Sequence, residues 1–223
     1  MDYRPEELLA CVIARLLEKL GARHAAIGAS SPIPATAAFL RREQDASFRV
    51  SLQQRRAHNL FTEGSRELFD LAGQGRVDAF FLGGAQIDGA ANINLVRAEG
   101  RRFPGSFGSA YMYPAVKHLI LFREEHSPRT LVKKVEFVSA TGNPAALVTG
   151  RAVFSWQKDQ RRFRLESTHD GNDVRELTGF EYDALPAVAR TPEPSADELA
   201  LLRGAVAKKI VADYPDFANR VWG

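Results

Sequence analysis

The sequence is poor in cysteine, with one among 223 residues, and it contains no long apolar run. A lone cysteine, Cys11, excludes an internal disulfide framework and a cysteine-based zinc cluster. It falls on the apolar face of a helical pattern, so we expect a buried structural thiol. No apolar run approaches the roughly 20 residues that cross a bilayer. The acidic start MDYRPEELLA is unlike a signal peptide, and we expect a cytoplasmic protein that does not bind membranes.

An excess of charge of one sign is also missing. The 30 lysines and arginines oppose 27 aspartates and glutamates, which gives a net charge of +3. The sequence shows no basic stripe with interleaved aromatic residues, so we expect no nucleic-acid partner. Basic residues occur in short pairs, namely Arg55-Arg56, Arg101-Arg102 and Arg161-Arg162. These pairs are typical of solvated surfaces, and the alternative is that they anchor a phosphorylated ligand.

Several catalytic and nucleotide-binding motifs are absent. The sequence has no Gly-x-Ser-x-Gly elbow, no His-Glu-x-x-His zinc helix, no Walker loop and no Gly-x-Gly-x-x-Gly turn. These absences argue against common hydrolases, zinc proteases, nucleoside triphosphatases and dinucleotide-binding enzymes. We expect no metal site and no permanently bound cofactor.

Helix and strand patterns alternate through the first 84 residues. The patterns predict helices over residues 5–20, from residue 35 to 42, and over 65–72, and strands over 24–29, 48–53 and 77–82. Such alternation predicts an α/β fold with an open, mostly parallel sheet and helices on both faces. Further strands are predicted over 119–122 and 135–138, followed by a C-terminal antiparallel hairpin of 146–156 with 163–167. We expect one domain over residues 1–223. Its last predicted element is a helix that begins at a capping box formed by Ser195 and Glu198.

Two glycine-rich loops follow predicted strands. The first contains Gly83, Gly84, Ala85 and Gln86, and the second contains Pro104, Gly105, Ser106, Phe107 and Gly108. Glycines at the carboxyl ends of parallel strands allow backbone amides to approach a ligand. The alternative is that Gly83 and Gly84 only provide a tight turn.

These residues carry a resemblance to a known family. The run FFLGGAQID at residues 80–88, the following GAANIN and the PGSFG of the second loop resemble the core of the β subunit of family I coenzyme A transferases. The glutaconate CoA-transferase type is the most similar. The resemblance extends over nearly the whole chain from about residue 5. It implies a coenzyme A thioester as substrate, and those nine loop residues as the substrate-binding residues.

The resemblance also implies a second chain. Enzymes of this family pair two similar domains, and 223 residues supply one, so we expect an α-type subunit as partner. A homo-oligomer of this chain alone stays open.

One departure from the family pattern concerns the nucleophile. The family carries a glutamate after the second strand of this subunit, whose carboxylate forms a thioester with coenzyme A. Gln53 occupies that place here, and an amide is not a competent nucleophile. We therefore interpret Gln53 as the altered catalytic position. Glu63-Gly64 matches the family's Glu-x-Gly only in its letters, because it lies just before a predicted helix.

The resemblance and the glutamine at position 53 are compatible with three functions. The first is a CoA-transferase-like β-type subunit that acts on an acyl-CoA. The second is a subunit of an acyl-CoA hydrolase or ring-cleaving enzyme of steroid-type catabolism, with water as the acceptor. The third is a non-catalytic subunit for CoA binding or assembly. An acid–base role for Glu124 or His126, and a pocket wall formed by Tyr111, Met112 and Tyr113, are further possibilities.

Overall fold

A computed structural model describes residues 2–55 and 61–223. The helices are α1 (Pro5–Lys19), α2 (Pro32–Gln44), α3 (Ser65–Gly73), α4 (Ser109–Ala115), α5 (Ala196–Leu201), α6 (Ala207–Asp213) and α7 (Pro215–Trp222). The strands are β1 (His24–Ile27), β2 (Arg49–Leu52), β3 (Ala79–Leu82), β4 (Gln86–Asp88), β5 (Ile93–Asn94), β6 (Arg97–Ala98), β7 (Arg101–Arg102), β8 (His118–Arg123), β9 (Leu131–Val132), β10 (Ala146–Thr149), β11 (Ala152–Gln157), β12 (Arg162–Thr168) and β13 (Asp183–Arg190).

The chain divides into two compact units. The first comprises residues 1–80 and 193–223, and the second comprises residues 81–192. The expectation of one domain over residues 1–223 stays a prediction.

The first unit is built on parallel strands. Strand β1 lies between β2 and β3 and pairs with both in parallel. Helices α1 and α2 pack against each other, and α2 also contacts β2 and α6. Pro5 begins α1, where its missing N–H costs no hydrogen bond. Cys11 on this helix is fully buried, and burial raises the pKa of its thiol to about 12, as expected for a structural cysteine.

The C-terminal helices complete the first unit. Ser195 caps α5 by accepting the N–H of Glu198, whose carboxylate accepts the N–H of Ser195 over 2.8 Å. The predicted capping box is therefore confirmed. A π-helical turn, Leu202–Val206, joins α5 to α6, and α7 begins at Pro215.

The second unit contains a mixed sheet. Strands β8 and β10 are parallel, β11 is antiparallel to both β10 and β12, and β13 is parallel to β12. Smaller groups are β5-β4-β9 and the hairpin β6-β7. The predicted mixed α/β fold, with a mostly parallel sheet, helices and an antiparallel hairpin, is confirmed.

Two strand predictions are wrong in detail. Residues 135–138 form no strand, because the N–H of Val135 donates to Asp88 Oδ2 and that of Glu136 donates to Gln86 Oε1. The predicted strand over 146–156 is two strands that turn at Gly150. Gly150 lies against the carbonyl of Glu124, where a side chain does not fit. The chain reverses there, so β11 pairs antiparallel with β10 as well as with β12.

Candidate functional site

Gln53 lies at the carboxyl end of a parallel strand. Its N–H donates to the carbonyl of Ile27 over 3.0 Å, which continues the pairing of β2 with β1 by one residue. A Cβ on Gly28 would lie 3.8 Å from the side-chain oxygen of Gln53 and 4.0 Å from Ser31 Oγ. The structure therefore brings an amide and a hydroxyl together beside a glycine at the edge where ligands bind open α/β sheets.

Two glutamates of the first unit, Glu43 and Glu63, are already in ion pairs. Glu63 lies before α3, its side chain is 66% exposed, and its carboxylate is 3.6 Å from the guanidinium of Arg66. Glu43 on α2 binds the ammonium of Lys209. Neither carboxylate lies at the end of β2, where the family pattern places the nucleophile.

The first glycine loop (residues 83–86) requires its glycines for close backbone packing. A Cβ on Gly83 would lie 2.9 Å from the carbonyl oxygen of Phe122. A Cβ on Gly84 would lie 2.7 Å from that of Gln86 and 3.2 Å from that of Asn94. The N–H of Ala85 donates to Asn94 over 2.8 Å, so this amide is used within the loop. Tight packing therefore accounts for both glycines.

Gln86 shapes the same loop from inside the protein. It is 5% exposed, its Nε2 donates to Glu136 over 2.9 Å, and its Oε1 accepts from Asn94 Nδ2 and from the N–H of Glu136. Asp88 accepts hydrogen bonds from the N–H groups of Ala90 and Asn92. The polar residues of this motif thus hold the backbone at Ala90, Asn92 and Glu136, which the sequence alone did not show.

The second glycine loop (residues 104–108) leads into α4. Gly105 has φ of +118°, which favours glycine, and Phe107 has φ of +39° with a side chain 64% exposed. The N–H of Ser109 donates to Ser106 over 2.9 Å, and that of Met112 donates to Gly108 over 2.8 Å. The hydroxyl of Ser109 is buried, and among the described residues it has no hydrogen-bond partner. Sequence reasoning missed Ser109, whose buried hydroxyl lies at the start of α4 directly after the loop.

His126 is a structural residue. It is 7% exposed, and its Nδ1 and Nε2 lie 2.7 and 2.9 Å from the hydroxyls of Thr149 and Thr178. Burial, together with the charge of Arg151, lowers the pKa of His126 to about 4. The imidazole is neutral at pH 7 with both nitrogens bonded, so the sequence-based acid–base role is not supported.

The three residues offered as a pocket wall divide in their exposure. Met112 and Tyr113 are 1% and 2% exposed, and the Tyr113 hydroxyl donates to the carbonyl of Ala91 over 2.8 Å. Tyr111 is 47% exposed. Two of the three therefore belong to the core, and Tyr111 alone faces outward.

Within residues 2–55 and 61–223, no group of three or more histidine, cysteine, aspartate or glutamate side chains is arranged to hold a metal ion. In the same ranges, no helix combines the length and the apolar character needed to cross a membrane.

Comparisons of the sequence with known proteins identify relatives of this chain. The chain is similar to the B-type subunit of 3-oxoadipate CoA-transferase from Pseudomonas knackmussii, with 28% identity over 62% of each chain. It is similar to the B-type subunit of glutaconate CoA-transferase from Acidaminococcus fermentans, with 26% identity over 53% of this chain and 54% of the relative. The cholesterol ring-cleaving hydrolase IpdB subunit of Mycobacterium tuberculosis is 32% identical over 40% of this chain and 42% of its own length. The matches thus span less than two thirds of these relatives.

Solved structures share the fold. Rhodococcus jostii RHA1 IpdAB superposes with a TM-score of 0.81 at 20% identity over the whole of both chains. Glutaconate coenzyme A-transferase from Acidaminococcus fermentans superposes with a TM-score of 0.77 at 18% identity over 91% of this chain and 94% of the other. The Coenzyme A transferase family model matches residues 41–177, which is more than half of the sequence. The chain therefore belongs to the coenzyme A transferase family, as a subunit of the B type.

Proposed function

We propose that this chain is the β-type subunit of a two-chain enzyme that acts on an acyl-CoA thioester without forming a glutamyl thioester on this chain. The observation that carries the proposal is Gln53 at the carboxyl end of β2, the position at which the family resemblance implies a glutamate. An amide cannot supply the carboxylate that attacks the acyl group. Coenzyme A therefore does not become bound to residue 53.

Gln53 is suited to positioning. Its amide offers two N–H donors and an oxygen acceptor, which can orient a thioester carbonyl or an attacking water. The Ser31 hydroxyl and the side chain of Gln53 lie beside the same face of Gly28, whose missing side chain leaves room for a substrate atom. Binding and orientation, rather than covalent capture, are what these residues can provide.

The glycine loops are our proposed contacts for the coenzyme A thioester. The N–H of Ala85 is bound to Asn94, which leaves the amides of Gly83 and Gly84 as the candidates in the first loop. In the second loop the candidates are the backbone around Gly105 and the buried hydroxyl of Ser109. Backbone amides aimed at a carbonyl oxygen stabilise the charge that develops when the thioester is attacked.

A hydrolytic reaction is the second candidate. Its support is the similarity to the IpdB subunit, a cholesterol ring-cleaving hydrolase, over 105 residues. In thioester hydrolysis water adds to the thioester carbonyl, the carbon–sulfur bond breaks, and coenzyme A leaves as the thiol while the acyl group becomes a carboxylic acid. In hydrolytic ring cleavage water adds to a ring carbonyl of the acyl group, a ring carbon–carbon bond breaks to give a carboxylic acid and a new C–H bond, and the thioester stays intact. A non-catalytic role in CoA binding or assembly is the third candidate.

The deciding experiment uses this chain copurified with an α-type subunit. The complex is incubated with a panel of acyl-CoA thioesters, with and without an added carboxylate acceptor. Free coenzyme A and every coenzyme A thioester are quantified by liquid chromatography, and both chains are analysed by intact mass spectrometry. We expect turnover with no adduct on this chain. A thioester of the added acceptor, formed as the original acyl group is released as its acid, indicates a transferase. Free coenzyme A formed without the acceptor indicates thioester hydrolysis, and a coenzyme A thioester heavier by one water indicates hydrolytic ring cleavage.

The same experiment separates the remaining outcomes. A coenzyme A adduct on Glu43 or Glu63 would show that the nucleophile is on this chain after all, which contradicts the proposal. Binding of acyl-CoA without turnover across the panel would favour the assembly role. A parallel sample without thioester provides the baseline mass of each chain.

A further inference from the structure

A cavity in the first unit lies away from Gln53. It has a volume of about 430 Å³ and is lined by His24, Arg42, Arg49, Ser51, Phe61 and Arg76, with Val50 and Leu71 completing it. His24 begins β1 and Arg49 begins β2, so the cavity opens at the amino ends of these strands. Gln53 follows the carboxyl end of β2, and the two places are therefore at opposite ends of that strand.

Three arginines give this cavity a positive charge. In the part of the chain that the structure describes, Arg42, Arg49 and Arg76 have no carboxylate within 4 Å of their guanidinium groups, whereas Arg41 and Arg55 of the same unit are both in ion pairs. The nearby carboxylate of Asp78 accepts the N–H groups of Arg23 and His24 over 2.9 and 3.0 Å. The charges around the cavity are thus left for a ligand to neutralise.

A buried histidine fixes the wall that carries these arginines. His24 is 5% exposed, its Nδ1 is 2.7 Å from the carbonyl of Arg76, and its Nε2 is 2.8 Å from Ser51 Oγ. Burial, together with the charges of Arg49 and Arg76, lowers the pKa of His24 against the opposing effects of the Arg76 carbonyl and Asp78. The neutral ring links β1, β2 and the segment before β3, so the arrangement of the cavity is preformed.

We propose that this cavity binds an organic phosphate. Guanidinium groups match phosphate oxygens with paired N–H donors, and three of them suit a group with more than one negative charge. Phe61 and Leu71 supply an apolar wall for the body of the ligand. The volume falls within the range of small-molecule sites and exceeds what a simple ion needs. The site stands independently of the proposed reaction at Gln53.

The phosphate can come from the nucleotide end of coenzyme A or from a separate small molecule. Titration calorimetry at low salt with adenosine 3′,5′-bisphosphate, pyrophosphate and adenosine distinguishes these sources. We expect the two phosphate compounds to bind and adenosine, which has no phosphate, not to bind. Displacement of adenosine 3′,5′-bisphosphate by coenzyme A identifies the coenzyme's nucleotide as the ligand. Phosphate binding that persists at saturating coenzyme A identifies a separate ligand.

Matched variants locate the binding. Arg49→Gln and Arg76→Gln should each weaken phosphate binding about tenfold, because each removes a charge-assisted hydrogen bond. Arg66→Gln is the control, since Arg66 is an exposed arginine paired with Glu63 outside the cavity. All three side chains are on the surface, so we expect unchanged thermal unfolding, which verifies that the variants are folded. No saturable binding of either phosphate at millimolar concentration, or an equal loss in Arg66→Gln, would overturn the proposal.

Discussion

The guanidinium of Arg55 donates two hydrogen bonds to one oxygen of Asp213, over 3.1 Å from Nε and 2.7 Å from Nη2. The Asp213 side chain is 7% exposed, and the Arg55 guanidinium also lies 5.3 Å from the centre of the Phe39 ring. Arg55 follows Gln53 by two residues, and Asp213 ends α6. The C-terminal helices therefore hold the segment that carries the proposed substrate-orienting amide.

Replacing Asp213 with asparagine tests this connection. Asp213→Asn should lower the free energy of unfolding by about 2 kcal/mol, because it weakens a partly buried charge-assisted bond. Urea denaturation measures the change. Glu63→Gln serves as the control, since its exposed pair with Arg66 should contribute less than about 0.5 kcal/mol. Equal effects of the two substitutions would mean that the Arg55–Asp213 pair does not hold the segment.

The arginines that line the cavity could not be predicted from the sequence. Adjacent arginine pairs were the sequence's alternative candidates for binding a phosphorylated ligand. In two of the three pairs one arginine has a carboxylate partner, because Arg55 is bound to Asp213 and Arg162 is 3.2 Å from Asp183. Arg56 lies outside the described residues. The cationic cavity instead uses arginines from three separate segments. Parallel pairing of β1 and β2 places His24 opposite Arg49, and no local pattern in the sequence encodes that approach.

The glycine loops show the same limit. The first loop and the resemblance to the family could both be recognised from the sequence, because both depend on a continuous run of residues. The side chain of Gln86 points into the protein, where it binds Glu136, a residue 50 positions away in the chain. A partner at that separation becomes visible only when the fold is known. The substrate-binding role of the nine loop residues stays a prediction.

Restoring the family carboxylate tests the role of position 53. Gln53→Glu in the complex should produce a detectable coenzyme A adduct on this chain after incubation with acyl-CoA. We expect its rate to remain about a hundredfold below that of a working transferase, because the loop after β2 is arranged around an amide at position 53, and a carboxylate misplaced by about 1 Å lowers the rate by a factor of that order. Intact mass spectrometry followed by peptide mapping locates the adduct.

Gln54→Glu provides the matched control for that experiment, since it adds the same carboxylate one residue later. An adduct in the Gln54→Glu variant and none in the Gln53→Glu variant would show that the catalytic position has been assigned to the wrong residue. An adduct on the unsubstituted chain would contradict the proposed function itself.

The first glycine loop should not tolerate a side chain at Gly84. Gly84→Ala introduces a Cβ 2.7 Å from the carbonyl oxygen of Gln86, a contact that forces the loop to move. We expect acyl-CoA binding by the assembled complex to fall at least tenfold, measured by calorimetry. Gly204→Ala is the control, because a Cβ there meets nothing within 4 Å. Undiminished binding by Gly84→Ala would remove the first loop from the proposed site.

Stability should fall in mild acid because of His126. Its pKa is about 4 in the folded protein and about 6.5 when unfolded, so the unfolded chain binds the extra proton between these values. The stabilisation is fully present above pH 6.5 and is lost as the pH falls toward 4. At pH 5 the loss from this residue is about 2 kcal/mol. His126→Gln removes this titration. Urea denaturation at pH 7.5 and at pH 5.0 gives the free energy of unfolding of both proteins. Between these pH values, the free energy of unfolding of the variant should fall by about 2 kcal/mol less than that of the parent chain. His24 and His169 also have lowered pKa values and remain in both proteins, so the comparison isolates the part of the fall that requires His126. An equal fall in the two proteins would show that burial and the charge of Arg151 do not hold His126 neutral.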